Sequence, residues 1–429
     1  SALTRKTKLF SLPNPKLKDL RDRGKRRSGK LPADMSLWYK IRVPPGSDPG
    51  NLLAELRRLP QVEIAEFAPM PQPPPAVTPD FTSYQGYLDV APGGLEARYS
   101  WIIPGGNATG ITVYDVEYDW LQAHEDLTRA AGVTLLLNSG DSNAPPGYSS
   151  PNCPAPCNEI NREHGTAVLG ELIGNQDVKG VTGISWNANI GLAPTNTMNL
   201  GYNPANAILL ASDAGSAGDV ILIEQQAVVC GLAGSNFGPA EWISTVFQAI
   251  ETAVANGLVV VEAAGNGNVD LDQAACGTTF DRNVRDSGAI LVGAGRPPAS
   301  GADRERETFS SYGHRVDVQG WGSRVMTTGY GSFYTNGAAP NDPIFWYRDT
   351  FGGTSSASPM VAGAAADVQG VALRRNGRPY TSLEMRALLV ETGSPQTGNT
   401  AEHIGPRPNL RRANTDGTPP AAPSGLIIR

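Results

Sequence analysis

The chain has 429 residues, a length that favours two or three folding units over one. Hydrophobic residues make up 40% of the chain and charged residues 18%, with 49 glycines and 35 prolines, which excludes a coiled coil and indicates a loop-rich globular protein. The net charge of −6 combines a basic first segment, in which residues 1–30 carry 11 Lys or Arg and two Asp, with an acidic remainder. No apolar run is long enough for a membrane span, and the basic cluster at 24–27 lacks the interleaved aromatic residues of a nucleic-acid surface, so neither class of partner is predicted.

The first 80 residues are expected to contain a flexible arm and a small folded module. Residues 1–35 are expected to form the basic arm, and residues 36–80 a module that ends in a proline-rich linker. Two stretches with alternating polarity predict strands on either side of a helical pattern; the strands are 36–44 and 62–67, and the helix is 49–59. Closely spaced prolines from Pro69 onwards predict an extended linker, so a domain boundary is expected between residues 70 and 80.

Beyond the linker, short apolar runs alternate with helical patterns. Such alternation indicates an α/β domain, here 81–414, in which helices cover both faces of a parallel sheet. The predicted strands are 111–114, 133–137, 190–192, 220–223, 258–261 and 290–292, and the predicted helices lie near 165–174, 240–256, 355–369 and 382–391. Residues 415–429 are expected to form a C-terminal tail or linker.

Four cysteines are present, and their spacing does not suit a zinc site. Four cysteines allow three pairings, of which we favour Cys153 with Cys157 and Cys230 with Cys276. These pairs would require an oxidising compartment, whereas the alternative is four unpaired thiols.

Four polar residues stand at positions where parallel α/β proteins place their chemistry. Asp115 closes an apolar strand and His164 begins a helix of small residues. Asn266 lies in a glycine turn after a strand, and Ser355 lies in the first turn of a long helix. At a first turn the backbone N–H groups lack intrahelical partners, so Ser355 suits the binding of an oxyanion. Taken singly, each residue is more commonly a turn residue or a helix cap.

The four residues occur in the order Asp, His, Asn, Ser. Gly-Thr follows His164, a Gly stands on both sides of Asn266, and Gly-Thr precedes Ser355. This pattern resembles the subtilisin-like serine proteases, the subtilase family. The resemblance covers about residues 80–415. It implies that Ser355 is the nucleophile and that His164 is its base. It further implies that Asp115 orients His164, and that the amide of Asn266 forms an oxyanion hole with the backbone N–H of Ser355.

Two segments depart from the family pattern. Asp115-Val-Glu117 stands where Asp-Ser/Thr-Gly is usual, which indicates a divergent branch. The segment that pairs with substrate in the family reads Glu-Gln-Gln instead of Ser-Leu-Gly. One hypothesis is that Glu224 favours cleavage next to basic residues, and the alternative is a Glu224 salt-bridged away from the cleft. The substrate-binding residues implied by the resemblance are Glu224, Gln225, Gln226, Ala264 and Gly265.

The resemblance implies no cofactor for the chemistry, but it is compatible with a structural calcium ion, since calcium prefers clustered oxygen ligands. The candidate ligands are Asp126 and Asp177, with Gln85 as a weaker third contributor. The alternative for these acidic residues is a salt bridge or a turn.

The resulting expectation is a secreted serine endopeptidase that acts on proteins or peptides as a monomer. Residues 1 to about 80 are expected to be a propeptide that binds the cleft, which makes the chain a zymogen. The N-terminus lacks the apolar stretch of a secretory signal, so the protein is either cytosolic or the signal has been removed; the resemblance favours an extracellular enzyme. The alternative function is an inactive subtilase-like protein that binds peptides without cutting them.

Overall fold

The structure is a computed structural model that describes residues 6–43, 48–68, 77–144, 156–336 and 342–415, and the side chains of 156–160 are not described. The chain divides into two compact units, Ser1–Pro74 and Pro75–Arg429. Each unit is described by itself below.

The N-terminal unit contains an antiparallel strand pair and two helices. Strand β1 (Lys6–Lys8) pairs with β2 (Tyr39–Ile41), and the helices are α1 (Asn14–Ser28) and α2 (Pro49–Arg57). The helix α2 and the strand within 36–44 agree with the sequence analysis, whereas residues 62–67 form no strand. Among the described residues of this unit, Leu17 is the only buried hydrophobic residue, so the unit has little core of its own.

Helix α1 corrects the expectation of a flexible arm over residues 1–35. A proline in its first turn, Pro15, suits the helix start, because a first-turn N–H has no intrahelical partner in any case. Lys25, Arg26 and Arg27 lie in the last turn, where cations interact favourably with the helix dipole. Gly29 then ends the helix with φ 72°, and its N–H bonds to the Lys25 carbonyl oxygen. The basic run therefore stabilises a helix end.

The second unit is built on a six-stranded sheet in which all neighbouring strands are parallel, in the spatial order β12-β11-β10-β7-β3-β4. The sheet strands are β3 (Thr112–Glu117), β4 (Asn189–Pro194), β7 (Val220–Ile223), β10 (Val259–Ala263), β11 (Ile290–Gly295) and β12 (Val318–Trp321). The parallel sheet predicted from alternating apolar runs is confirmed. Residues 133–137, predicted as a strand, form no strand, although the Leu136 N–H bonds to the Leu192 carbonyl oxygen at the sheet edge.

Helices cover both faces of this sheet, as the sequence analysis expects. The helices of this unit are α3 (Ala97–Ser100), α4 (Pro156–Ile173), α5 (Pro204–Ala214), α6 (Ser244–Ala255), α7 (Thr354–Asn376), α8 (Ser382–Thr392) and α9 (Leu410–Thr415). One core cluster joins Val113 and Leu222 to α4 and α7, and a second joins Tyr114 and Ile221 to α5 and α6. Since side chains alternate along a strand, Asp115 and Glu117 share the face of Val113, towards α4 and α7.

Antiparallel two-stranded pairs surround the main sheet. They are β5 (Asn196–Thr197) with β6 (Gly201–Tyr202), β8 (Gln226–Val228) with β9 (Phe237–Pro239), and β13 (Val325–Thr328) with β14 (Tyr347–Phe351). Strand β14 ends at Phe351, and Gly352 and Gly353 connect it directly to the start of α7.

A disulfide joins Cys230 and Cys276, as the sequence analysis favours. Both cysteines are buried in a core cluster with Val229 and Ala264, which ties the segment after β8 to the loop beyond β10. The other favoured pair, Cys153 with Cys157, lies outside the described residues and side chains. Within the described parts of the chain, no helix is long and apolar enough to cross a membrane.

Candidate active site

Several polar side chains lie where strands end at one edge of the parallel sheet. Glu117 ends β3, Glu224 follows β7 directly, and Asn266 comes three residues after the end of β10. The N-termini of helices that return from the sheet face the same edge. A cavity of about 470 Å³ opens there. Its lining includes His164, Ser355, Asn266, Glu224, Gln225, Gln226, Ala263, Tyr118, Tyr330, Arg348 and Phe351.

The imidazole of His164 is held by a buried carboxylate, and that carboxylate is Glu117. Nδ1 of His164 lies 2.5 Å from Oε2 of Glu117, whose side chain is fully buried. The ring edge of His164 also packs against Phe351, with the ring centroids 5.7 Å apart. The imidazole side chain keeps 23% of its surface exposed. It is therefore fixed on one side and open to the cavity on the other.

This geometry corrects the expectation that Asp115 orients His164. Oδ2 of Asp115 instead accepts a hydrogen bond from Nε1 of Trp120 at 2.8 Å. Glu117 stands on the same face of β3, two residues nearer the carboxyl end, and its side chain is one methylene longer. It therefore reaches the ring that Asp115 was expected to reach.

The two carboxyl groups differ in how their charge is compensated. Burial, and then the neighbouring Glu117, raise the pKa of Asp115 well above its usual value. Burial alone would lower the pKa of His164, but the Glu117 carboxylate outweighs it and, with Glu224 and Asp115, raises the pKa to about 9. The site thus favours an imidazolium held against Glu117.

Ser355 and Asn266 meet at the start of α7. Gly353 precedes the helix with φ 99°, a conformation that favours glycine. The backbone N–H of Thr354 donates to Oδ1 of Asn266 at 2.8 Å, and the Thr354 hydroxyl lies 3.2 Å from the same oxygen. Because Oδ1 is occupied in this way, the Nδ2 group of Asn266 is left to donate elsewhere. Ser355 is half-buried and lines the cavity with Asn266, as expected.

The predicted substrate-binding residues divide into two groups. Glu224, Gln225 and Gln226 line the cavity, and Gln226 also opens the β8–β9 pair. Ala264 and Gly265 are buried and do not line it; Ala263 does.

Gly265 packs directly against the backbone of β9. It has φ 90°, and a Cβ placed on it would lie 2.7 Å from the Cα of Gly238. This residue therefore supports the wall of the cavity from behind.

Glu224 lines the cavity, but one oxygen of its carboxyl group is already bonded to α7. Its Oε1 lies 2.6 Å from the Ser358 hydroxyl inside α7, and the residue is only 4% exposed. This placement disfavours the hypothesis that Glu224 selects basic substrates. The alternative of a salt bridge does not hold either, because no ion pair of Glu224 occurs within the described residues.

The candidate calcium ligands Gln85 and Asp126 are brought together, but their oxygens are used by the chain itself. Oε1 of Gln85 accepts from the Thr182 N–H at 2.8 Å, and Oδ2 of Asp126 accepts from the Val181 N–H at 2.6 Å. Oδ1 of Asp177 accepts from the N–H of Lys179.

Among these oxygens, Oδ1 of Asp126 is buried without a hydrogen-bond partner. Burial raises the pKa of Asp126 to about 8, so the group carries little charge at neutral pH. In the described parts of the chain, no group of three His, Cys, Asp or Glu residues could hold a metal ion. These residues therefore do not fit a calcium site.

Sequence reasoning missed Glu117 and the aromatic wall of the cavity. The sequence shows Glu117 in place of the usual Gly only as the mark of a divergent branch; its place two residues after Asp115, on the same strand face, is the signal for its role. The wall consists of Tyr118, Tyr330 and Phe351, with the Arg348 guanidinium over the Tyr330 ring at 4.6 Å. No sequence signal tied the β13–β14 hairpin to the site.

Comparison with known proteins identifies the family of the chain. The sequence profile of the Subtilase family matches residues 107–415, which is more than half of the chain. The chain belongs to the subtilase family. All the described residues that line the cavity lie within the matched subtilase region.

Named subtilase relatives are extracellular bacterial proteases. An extracellular serine proteinase of Thermus sp. (strain Rt41A) is 29% identical over 278 residues, which is 63% of this chain and 53% of that protein. An extracellular protease of Xanthomonas campestris pv. campestris is 28% identical over 314 residues, or 69% of this chain and 50% of that protein. The chain thus spans about half the length of the curated relatives it matches.

Solved structures of subtilases share the fold. A protease from Pseudoalteromonas arctica PAMC 21717 has 22% sequence identity and a TM-score of 0.55, over 80% of this chain and 99% of that one. Fervidolysin from Fervidobacterium pennivorans, a keratinolytic enzyme related to subtilisin, has 21% identity and a TM-score of 0.51, over 81% of this chain and 49% of that one. These similarities establish the subtilisin-like fold of the second unit.

Proposed function

We propose that the protein is a serine endopeptidase that uses Ser355 as nucleophile, His164 as the proton-transfer group and Glu117 as the carboxylate that holds His164. The observation that carries this proposal is the 2.5 Å contact between Nδ1 of His164 and Oε2 of Glu117 at a cavity that Ser355 also lines. A nucleophile, a base and a group that orients the base are the parts that acyl transfer requires. Membership of the subtilase family supports the same reaction.

Each side chain then has a defined task in cleaving a peptide bond. The Ser355 oxygen attacks the carbonyl carbon while its proton is removed, and the imidazolium of His164 later protonates the leaving amine. Glu117 stabilises that imidazolium and fixes the ring orientation through Nδ1. Negative charge develops on the carbonyl oxygen, where the Nδ2 group of Asn266 and the backbone N–H of Ser355 at the start of α7 donate.

Hydrolysis of a protein substrate tests this proposal directly. Purified protein should cleave unfolded casein, and Ser355→Ala should reduce the rate by several orders of magnitude, because the remaining site has no nucleophile. A Ser355→Ala protein that still cleaves at the wild-type rate would contradict the proposal. A folded wild-type protein that binds peptides without cleaving them would instead support the inactive binding protein.

We further propose that the peptidase is secreted, and that the N-terminal unit is a propeptide released on maturation. The separation into two units at residue 74 supports a removable segment, and the Cys230–Cys276 disulfide supports an oxidising compartment. The printed names of the relatives describe extracellular enzymes. Mass spectrometry of active protein should find a new N-terminus near the boundary of the units, and active enzyme that retains the intact N-terminal unit would contradict the propeptide.

A further inference from the structure

Glu224 is a buried carboxyl group at the floor of the catalytic cavity. Ile223 of β7 pairs with Val116 of β3, and the Glu224 N–H bonds to the Val116 carbonyl oxygen at 3.2 Å. Alternation along the strand places Glu224 on the face of Leu222, which packs in the core cluster with α4 and α7. Asp115 and Glu117 lie on this same face. Glu224 therefore belongs to a layer of acidic groups beneath His164 and Ser355.

The Ser358 hydroxyl can serve Glu224 in either of its protonation states. Oγ of Ser358 lies 2.6 Å from Oε1 of Glu224 and 2.7 Å from the Thr354 carbonyl oxygen. A hydroxyl has one proton, so it can donate to only one of these oxygens. If it donates to Glu224, the carboxyl group is charged. If it donates to Thr354, a protonated Glu224 can donate to Ser358, so the contact between Ser358 and Glu224 is a hydrogen bond in both arrangements.

The second oxygen of Glu224 is available to the nucleophile. Oε2 is buried and has no hydrogen-bond partner among the described residues. Glu224, Ser355 and His164 line the same cavity, and the Ser355 hydroxyl is close enough to help lower the pKa of Glu224. A buried carboxyl oxygen without a partner is costly unless a donor reaches it during function. The Ser355 hydroxyl, which lines the same cavity, is a donor that can fill this role.

We propose that Glu224 is a second proton acceptor for Ser355, working beside His164 when His164 is already protonated. This inference rests on the proposed peptidase function. As the Ser355 oxygen bonds to the carbonyl carbon, its O–H bond breaks, the proton passes to Oε2 of Glu224, and the carbonyl π electrons move onto oxygen. His164 imidazolium then protonates the amine as the C–N bond breaks.

The second half of the reaction restores both groups. Water attacks the acyl carbon and gives its proton to the neutral His164, while the carbonyl π electrons again move onto oxygen. When the C–O bond to Ser355 breaks, Glu224 returns its proton to the serine oxygen. The cycle consumes one water and leaves His164 as imidazolium and Glu224 as carboxylate.

The charges around Glu224 permit this division of tasks. Burial is the largest effect and raises the pKa of Glu224, His164 lowers this pKa, and Glu117 raises it. The hydroxyls of Ser358 and Ser355 also lower it, and the resulting pKa of Glu224 is about 8. Since the pKa of His164 is about 9, Glu224 is a carboxylate and His164 is an imidazolium between about pH 8 and pH 9. The other titratable groups around Glu224 are Asp115 and Glu117 on β3, Tyr118 beyond it and Glu171 on α4.

Glu224→Gln tests the proposal because it keeps the shape and a hydrogen bond to Ser358 but cannot accept a proton. We expect the substitution to lower kcat at both pH values, but more at about pH 7 than at about pH 10. The fall at about pH 7 should exceed the fall at about pH 10 several-fold, by up to about tenfold, while KM stays nearly constant. At the higher pH, neutral His164 accepts the Ser355 proton in both proteins. A purely electrostatic role predicts the opposite sign, because the Glu224 charge raises the pKa of His164 and its loss makes more neutral base available. Equal or higher kcat in the variant at pH 7 would overturn the proposal.

Ser358→Ala provides a second test should Glu224→Gln fail to fold. Without the Ser358 donor the pKa of Glu224 rises, so the proposal predicts that the acid limb of the pH–kcat profile moves to higher pH. If His164 is the only base, the limb stays or moves to lower pH, because a less ionised Glu224 raises the pKa of His164 less. Ser355→Ala is the control for the proposed function: a wild-type rate in that variant refutes the peptidase site itself, apart from any role of Glu224.

Discussion

Glu117 and Asp115 lie two residues apart on one strand face but meet different partners. Glu117 contacts His164, whereas Asp115 accepts from Trp120. The identities of His164, Asn266 and Ser355 could be predicted from sequence because short flanking patterns mark each of them. The carboxylate could not, because two acidic residues fit the strand end, and side-chain length and distance along the strand decide between them.

Exchange of each carboxyl group for its amide should separate their roles. We expect Glu117→Gln to lower kcat by about 10³-fold or more, because an amide neither stabilises the imidazolium nor holds the required tautomer. Asp115→Asn should have a much smaller effect, since an amide oxygen can still accept from Trp120. Steady-state kinetics on one peptide substrate compares the two variants. A larger loss in Asp115→Asn than in Glu117→Gln would restore Asp115 as the catalytic carboxylate.

The activity should rise in alkaline solution. A protonated acceptor cannot take the Ser355 proton, so activity is lost as pH falls through the pKa of the acceptor. The pKa values of about 8 for Glu224 and about 9 for His164 place this acid limb between about pH 8 and 9. The pH dependence of kcat/KM measures it in the free enzyme. A limb near the ordinary histidine value of 6.5 would contradict the close pairing of His164 with Glu117.

At the scale of elements, runs of apolar residues in the sequence predicted most strands of the sheet. The strands near 111–114, 220–223 and 258–261 are nearly continuous apolar runs, as expected for strands covered on both faces. Residues 133–137 have a similar composition but lie at the edge, where only part of their backbone pairs. Helix α1 was not predicted because it is dominated by charged residues and contains few apolar ones.

The Cys230–Cys276 disulfide should stabilise the wall of the site. It closes a segment of 46 residues that contains Asn266, for which restriction of the unfolded chain predicts about 4 kcal/mol, with 2–4 kcal/mol typical. Replacement of both cysteines by serine should therefore lower the free energy of unfolding by about 2–4 kcal/mol in urea titrations. The titrations should be run on the Ser355→Ala background, so that self-cleavage does not distort them. Unchanged stability would mean that the two cysteines are not paired in the protein.

At the scale of the whole molecule, the boundary expected between residues 70 and 80 coincides with the division between the two units. Closely spaced prolines made the position of this division predictable from sequence. The calcium ligands could not be predicted as readily from sequence, because ligand type and spacing do not reveal whether each candidate oxygen already accepts a hydrogen bond. Thr182 and Val181 supply N–H donors to Gln85 and Asp126.

Chelation should therefore leave the thermal stability of the molecule unchanged. Since backbone N–H groups already donate to Oε1 of Gln85 and Oδ2 of Asp126, no ion is needed to hold the loop that carries Val181 and Thr182. Differential scanning calorimetry with EDTA, and then with excess calcium, measures the effect, again on the Ser355→Ala protein. A Tm that falls with EDTA and recovers with calcium would contradict this account of the loop.

The most direct measurement is labelling with a serine-directed phosphonate, followed by mass spectrometry of the adduct. The account predicts one phosphonylated residue, Ser355, in the wild-type protein. It also predicts no adduct in Ser355→Ala, and much slower labelling in Glu117→Gln than in Asp115→Asn. Labelling at another serine, or none in protein that cleaves casein, would contradict the assignment of Ser355, His164 and Glu117 as the reacting groups.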